Sequence, residues 1–190
     1  MNDQQKELLA KNRLVITDEV TWDTFTYIRE ALTAKSLAGS PALRIQISSS
    51  GGRVTSGLDA YDFLRAYEGQ KIGIVRGMAM SIAAILLQAC EWRVATPHSR
   101  ILIHNIGRRD VTFSEVETDE LAQKFISHMR ASQESLYNVL MRRTRRTREE
   151  IVTTCALDEP MSAQEAKEFG LIDQIVETEK DIQSPDQEGK

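Results

Sequence analysis

The sequence predicts an α/β domain, and three observations carry that prediction. Short β-rich runs alternate with amphipathic helical patterns, glycines mark several of the switches between them, and no internal repeat or low-complexity block interrupts the order before a polar tail. A chain of 190 residues suits one domain with a substantial core and is short for two. Residues 1–178 are read as that domain and 179–190 as a disordered tail ending SPDQEGK.

The elements follow in order. RLVIT (13–17) is a strand, and WDTFTYIREALTAKS (22–36) carries apolar residues at helical spacing. LRIQIS (43–48) is a second strand with Leu43, Ile45 and Ile47 on one face. After Gly51-Gly52, VTSGLDAYDFLRAYEG (54–69) predicts a helix that turns Val54, Leu58, Tyr61, Phe63 and Leu64 inward and stops at Gly69. KIGIVRG (71–77) is a third strand, and Ser81 opens a helix apolar on nearly every side. WRVAT (92–96) and RILIH (100–104) are further strands. A long helix is expected from Ser114 to about Arg143, opened by a capping box of Ser114 with Glu117 and striped by Phe125, Met129, Leu136 and Leu140. Its length implies packing on a neighbouring subunit, hence oligomerisation. Thr147 with Glu150 and Ser162 with Glu165 cap two shorter helices.

Composition narrows the function classes. A net charge of −4 gives no general attraction to nucleic acid or anionic lipid, and no apolar run approaches a membrane span. The N-terminus MNDQQKELLAKNR is polar and reads as neither signal peptide nor anchor. The two cysteines, Cys90 and Cys155, lie in apolar contexts without metal-binding spacing, which points to buried thiols in a reducing, cytoplasmic setting.

Three residue types invite chemistry. Ser81 is a lone hydroxyl inside RGMAMSIAAILL, where an unpaired hydroxyl would be costly, so it needs a partner or a task. His104 ends an apolar strand, where α/β folds place cleft residues, although a strand-end histidine also serves structure alone; His98 reads as a turn residue and His128 as a site on the long helix. Asp158 precedes the helix capped at Ser162 and could equally be a solvated or capping carboxylate. Gly51-Gly52 fits a bare turn, a phosphate cradle or an oxyanion donor, with no nucleotide-binding motif beside it. Spacing alone does not bring these residues together.

In that order the motifs resemble those of the proteolytic subunit of the caseinolytic (Clp) protease, a family of ring-forming serine peptidases. ISSSGGRVTSG resembles the family's strand and Gly-Gly turn, and GMAMSIAA its nucleophile motif. PHSRILIHN resembles the histidine motif, and LDEPMSAQEAKEFGLIDQIV the aspartate motif, so the resemblance covers about residues 8–177. It implies an α/β fold of the ClpP/crotonase type, a repeated β-β-α spiral with a protruding handle helix spanning about 106–150. It implies Ser81 as nucleophile, His104 as general base, Asp158 as the carboxylate that orients the histidine, and the N–H groups of Gly52 and Ile82 as the oxyanion hole. The implied substrates are unfolded polypeptides or peptides, and the implied partners are further copies of the chain in a heptamer or tetradecamer and an AAA+ unfoldase. Neither metal nor cofactor is implied.

The chain departs from the family's pattern in places. About a dozen residues precede the first strand where the family has a longer segment forming axial loops, which bears on ATPase docking. Ser50, Met80, Ile82 and Ala83 replace the family's residues around the site, and Ala156-Leu157 replaces the Asp-Arg pair used between rings. MRRTRRTR (141–148) holds five arginines, read as a solvated helix end, an inter-ring contact or a polyanion patch. Beside the endopeptidase stand a phage prohead-type protease of the same fold, a catalytically impaired ring subunit, and an acyl-CoA enzyme of the crotonase type.

Overall fold

The computed structural model describes residues 1–107 and 111–183. A short helix, α1 (Asp3–Ala10), leads into β1 (Arg13–Val20), followed by α2 (Trp22–Leu37), β2 (Leu43–Gly52), α3 (Val54–Ala66), β3 (Lys71–Met80) and α4 (Ile82–Leu87). Then come β4 (Trp92–Ala95), β5 (Arg100–Leu102), α5 (Phe113–Val116), α6 (Asp119–Thr144), α7 (Arg148–Leu157), β6 (Met161–Ser162), α8 (Ala163–Phe169) and β7 (Gln174–Ile175). The strands β1-β2-β3-β4-β7 form a parallel sheet in that order, with β5 parallel to β3 and β6 antiparallel to β5.

The alternation in β2 buries Leu43, Ile45, Ile47 and Ser49 on one face, whereas central β3 buries every residue from Lys71 to Val75. Helices α2, α3 and α4 pack in sequence along one side, and all six residues of α4 are buried. Fully burying each large aliphatic side chain contributes about 1.5–3 kcal/mol. On another part of the sheet Ile72, Ile74 and Val94 form a smaller cluster with Val176 and Ile182.

The feature that positions the site is a change of partner along β3. Its first half pairs with β4 (Ile72↔Trp92 to Val75↔Ala95), and its second half pairs with β5 (Met78↔Arg100 to Met80↔Leu102). Between them the register against β2 jumps from Ile47↔Val75 to Ser49↔Ala79. Gly77 takes a φ of +87° there, a conformation open to glycine at little cost. Two polar clamps hold the strands further along. Arg93 forms paired hydrogen bonds to Asp173 and also reaches Gln88 and the Gly170 carbonyl, joining β4 to the loop before β7. The Lys71 ammonium, almost fully buried, donates to the Tyr67 and Gly69 carbonyls and pairs with Glu91 at 3.2 Å.

Several expectations are corrected. The Ser114–Glu117 capping box does not form, and the long helix is two helices. The stretch TFSEVE offers two overlapping boxes, and the earlier one wins: Thr112 pairs with Glu115 around α5, Glu117 becomes its C-cap, and Thr118 starts α6. The Thr147–Glu150 and Ser162–Glu165 boxes form as expected. Phe63 is exposed rather than inward, at the edge of α3 where it meets the Phe25 ring of α2 edge-on at 5.5 Å. The second strand runs through Gly51-Gly52, and α3 ends at Ala66, three residues before Gly69.

Residues 179–183, expected within a disordered tail, are instead folded; 184–190 lie outside the described residues. Glu179 opens a 3₁₀ turn and takes ion pairs from Arg13 of β1, Arg44 of β2 and Arg76 of β3, and Ile182 is buried. Burial pushes the Glu179 carboxyl up, but hydrogen bonds from Arg13 and Arg44, with the charges of Arg13 and Arg76, outweigh it and hold its pKa below 4.5. A carboxylate depressed on folding stabilises above its unfolded pKa and loses that contribution as pH falls through the folded value. Glu179→Gln should therefore lower the urea midpoint at neutral pH, and the gap from the wild type should close as pH drops below about 4.5. Arg93→Met should cost about 3 kcal/mol or more in the same assay, because it strands Asp173 and Gln88.

Candidate active site

Ser81 follows β3 directly and precedes α4, and its backbone N–H donates to the Leu102 carbonyl at 2.8 Å. That bond continues the β3–β5 ladder one residue beyond Met80↔Leu102. Parallel pairing then brings the residues just after β5, Ile103 and His104, to the same end of the sheet as Ser81. His104 thus lies two residues beyond its strand rather than within it, which corrects the expected span of 100–104.

The Ser81 backbone stands at φ 56°, ψ −126°, a left-handed conformation that side chains other than glycine's rarely adopt. Such a residue costs on the order of 1–3 kcal/mol and persists only where its surroundings impose it. Gly51 is one source of that constraint. A Cβ on Gly51 would lie 2.7 Å from Ser81 Cβ and 2.9 Å from the Met80 carbonyl oxygen, so only glycine lets β2 pass this close. Ile82 is the first residue of α4, where a backbone N–H has no partner within the helix, and its buried side chain packs over Gly57 of α3.

Gly52, Ser81 and His104 line one cavity of about 50 Å³, walled by Ile85, Ile103 and Leu136 among others. A wider groove of about 490 Å³ adjoins it, sharing Gly52, Val54, Ile106 and Gly107 and reaching His128 on α6. His104 Nδ1 stands 3.6 Å from Asp158 Oδ1, an ion-pair distance longer than a hydrogen bond. Asp158 is the C-cap of α7 in the left-handed conformation, φ 53°, with a well-exposed side chain. The structure therefore brings Ser81, His104 and Gly52 around one cavity, puts Asp158 within 3.6 Å of His104 Nδ1, and leaves Ile82 at the helix start beside Ser81. Among the described residues no hydrogen bond joins Ser81 to His104.

Helix α6 supports this constellation through contacts the sequence reading missed. The Tyr137 hydroxyl donates to Asn105 Oδ1, and Gln133 Oε1 accepts the Ile106 N–H at 2.6 Å, so the segment after His104 is tied to α6 at two successive residues. Neither Tyr137 nor Gln133 stands out in ASQESLY, and no spacing rule selects them. Cys155 also lines the cavity, but burial pushes its thiol up to about 11, and Cys90, wholly buried, is raised to about 12 chiefly by burial. Neither thiol is a ready nucleophile near neutrality. Such a site offers a hydroxyl and an imidazole on one cavity, a carboxylate near the imidazole, and an adjoining groove.

The arginine run resolves mostly into structure. Arg143 donates to the Cys90 carbonyl, Arg146 to the Glu168 and Phe169 carbonyls at the end of α8 and to Glu150, and Arg148 pairs with Glu134. Arg145 is the left-handed C-cap of α6. Among the described residues no cluster of His, Cys, Asp or Glu could hold a metal ion, and no helix is long and apolar enough to cross a membrane.

The strain at Ser81 has a testable consequence. Ser81→Gly should be more stable than Ser81→Ala by about 1 kcal/mol in urea unfolding, because only glycine takes the positive φ freely.

The chain matches the family model described as Clp protease over residues 1–179. It is 34% identical over 155 residues, 78% of this chain and 74% of the relative, to the ATP-dependent Clp protease proteolytic subunit 3 of Synechococcus sp. (strain CC9605). With the same shares it is 32% identical to the proteolytic subunit 2 of Prochlorococcus marinus (strain NATL2A) and to the subunit 3 of Parasynechococcus marenigrum (strain WH8102). Fold, motif order and similarity along nearly the whole length agree, and the chain belongs to the Clp protease family.

Proposed function

We propose that the protein is a serine endopeptidase that hydrolyses peptide bonds inside a ring-shaped oligomer. Ser81 is the nucleophile, His104 the general base and Asp158 the group that orients the imidazole. The observation that carries this reading is the cavity shared by Gly52, Ser81 and His104, with Asp158 Oδ1 at 3.6 Å from His104 Nδ1.

The chemistry follows from the residue types. His104 takes the hydroxyl proton as Ser81 Oγ attacks the scissile carbonyl, and returns it to the leaving amine. The N–H groups of Gly52 and Ile82 receive the developing oxyanion; one such donor is worth on the order of 100- to 1000-fold in turnover. Water then cleaves the acyl-enzyme by the same proton route in reverse. The left-handed backbone at Ser81 serves this by turning the chain sharply between strand and helix, which presents the side chain and the next N–H to one space.

Assembly is part of the same reading. The apolar stripe on the first half of α6 is left partly open, with Leu121 and Ile126 exposed and Phe113 more so on α5, as a handle meeting a second ring would need. Seven or fourteen copies would enclose the sites, and an AAA+ unfoldase would deliver unfolded chains, ATP being spent by that partner. A cytoplasmic location accords with the reduced, buried cysteines.

A second reading, a ring subunit of the same fold with an impaired triad, is favoured by one feature. The His104–Asp158 separation exceeds a hydrogen bond and Asp158 is largely solvated, so the resting triad is not closed. Hydrolysis of a labelled unfolded protein and of short peptides by the purified oligomer separates the two. The peptidase reading expects turnover, reduced by about 10⁴-fold or more in Ser81→Ala and His104→Ala and by about 100-fold or more in Asp158→Asn. Inertness of a well-assembled ring that recovers only on adding an active relative would establish the impaired subunit.

A further inference from the structure

The geometry points to Gln133 as a specificity-determining residue. Its side-chain amide N–H group reads a substrate residue flanking the scissile bond, and it favours a small neutral side chain with an acceptor oxygen over an aliphatic one of the same shape. This inference rests on the peptidase reading above and deepens it.

Gln133 lies on α6 and lines the cavity that holds Ser81 and His104. Its two amide ends are not interchangeable here. The Ile106 backbone N–H can only donate, so the 2.6 Å contact fixes Oε1 toward Ile106 and leaves Nε2 as the free end. Nε2 is buried and has no hydrogen-bond partner among the described residues. Buried amide donors are nearly always satisfied in folded proteins, so one left open in the wall of a reaction cavity is a donor awaiting an acceptor.

The surroundings define that acceptor. Most of the cavity wall is hydrocarbon, from Val54, Ile85, Ile103, Ile106, Leu136 and Leu140. Among the described residues no lysine or arginine lines it, and a neutral carbonyl oxygen needs no counter-ion to enter such a wall. The volume of about 50 Å³ admits a small side chain. Asparagine meets these conditions, and leucine, close to it in shape, fills the same space but leaves Nε2 unpaired. Helix α6 holds the amide in place, because the flanking Leu136 and Tyr137 are buried and Tyr137 is itself bonded to Asn105. A site built to pair with a polar substrate group discriminates strongly against the analogue that lacks it.

The test uses fluorogenic peptides that carry Asn, Leu or Asp at the residue flanking the cleaved bond, on either side in turn, with fluorophosphonate labelling of Ser81 measured on every sample. The wild type should favour the Asn peptide by about tenfold or more in kcat/KM. Gln133→Leu should reverse that order, a ratio read within the one variant and so separable from any change in Ser81 labelling that follows loss of the Ile106 contact. Gln133→Glu keeps an oxygen for the Ile106 N–H and introduces a charge, so it should lower the ratio of Asp-peptide to Asn-peptide cleavage relative to the wild type. A wild type that labels at Ser81 yet treats Asn and Leu alike, or prefers Leu, overturns this inference and leaves the peptidase reading standing. Loss of labelling in both variants makes Gln133 a structural prop and overturns it too. A wild type that neither labels nor cleaves overturns the peptidase reading and this inference with it.

Discussion

The structure depends on the close passage of β2 over the end of β3, where Gly51 lies against Ser81. One backbone contact fixes three things together: the left-handed turn at Ser81, the start of α4 at Ile82, and the approach of Gly52 to the same cavity. The constraint works only because β3 has already exchanged β4 for β5 at Gly77, which delivers Ser81 to the strand end that carries His104. A side chain at Gly51 would have to push either strand aside, and the energy stored in the Ser81 backbone is small beside the buried α4 and strands that impose it.

Much of this was legible in the sequence, and the reasons differ by element. The strands of β1, β2 and β3 announced themselves through β-branched runs, and the boxes at Thr147 and Ser162 through a local four-residue pattern whose partners lie within one turn. The start of the long helix misled because two such patterns overlap in TFSEVE and local chemistry does not rank them. Phe63 misled because the buried arc of α3 is set by where α2 lies, which periodicity within one helix does not reveal. The fold of residues 179–183 was invisible because Glu179 draws its three arginines from three separate strands.

For the site, the motifs marked Ser81, His104, Asp158, Gly52 and Ile82, but only the pairing of β3 with β5 explains why a serine and a histidine 23 positions apart meet. Tyr137 and Gln133 stayed hidden because their role is to hold the segment after His104 from another helix, a long-range relation with no local signature. The substitutions around Ser81 find partial physical sense. Ile82 is buried against Gly57, so a large apolar residue after the serine locks α4 onto α3. Nothing in the structure explains Ala156-Leu157; Leu157 is simply exposed before Asp158.

The measurement that tests the central claim most directly is intact-mass analysis of the assembled protein after treatment with a fluorophosphonate, with the adduct mapped to a residue. A single adduct on Ser81, absent in His104→Ala, is the predicted result, since only a serine whose proton is taken by a neighbouring imidazole reacts this way. An unmodified chain, or an adduct on Ser81 that persists without His104, would contradict the account.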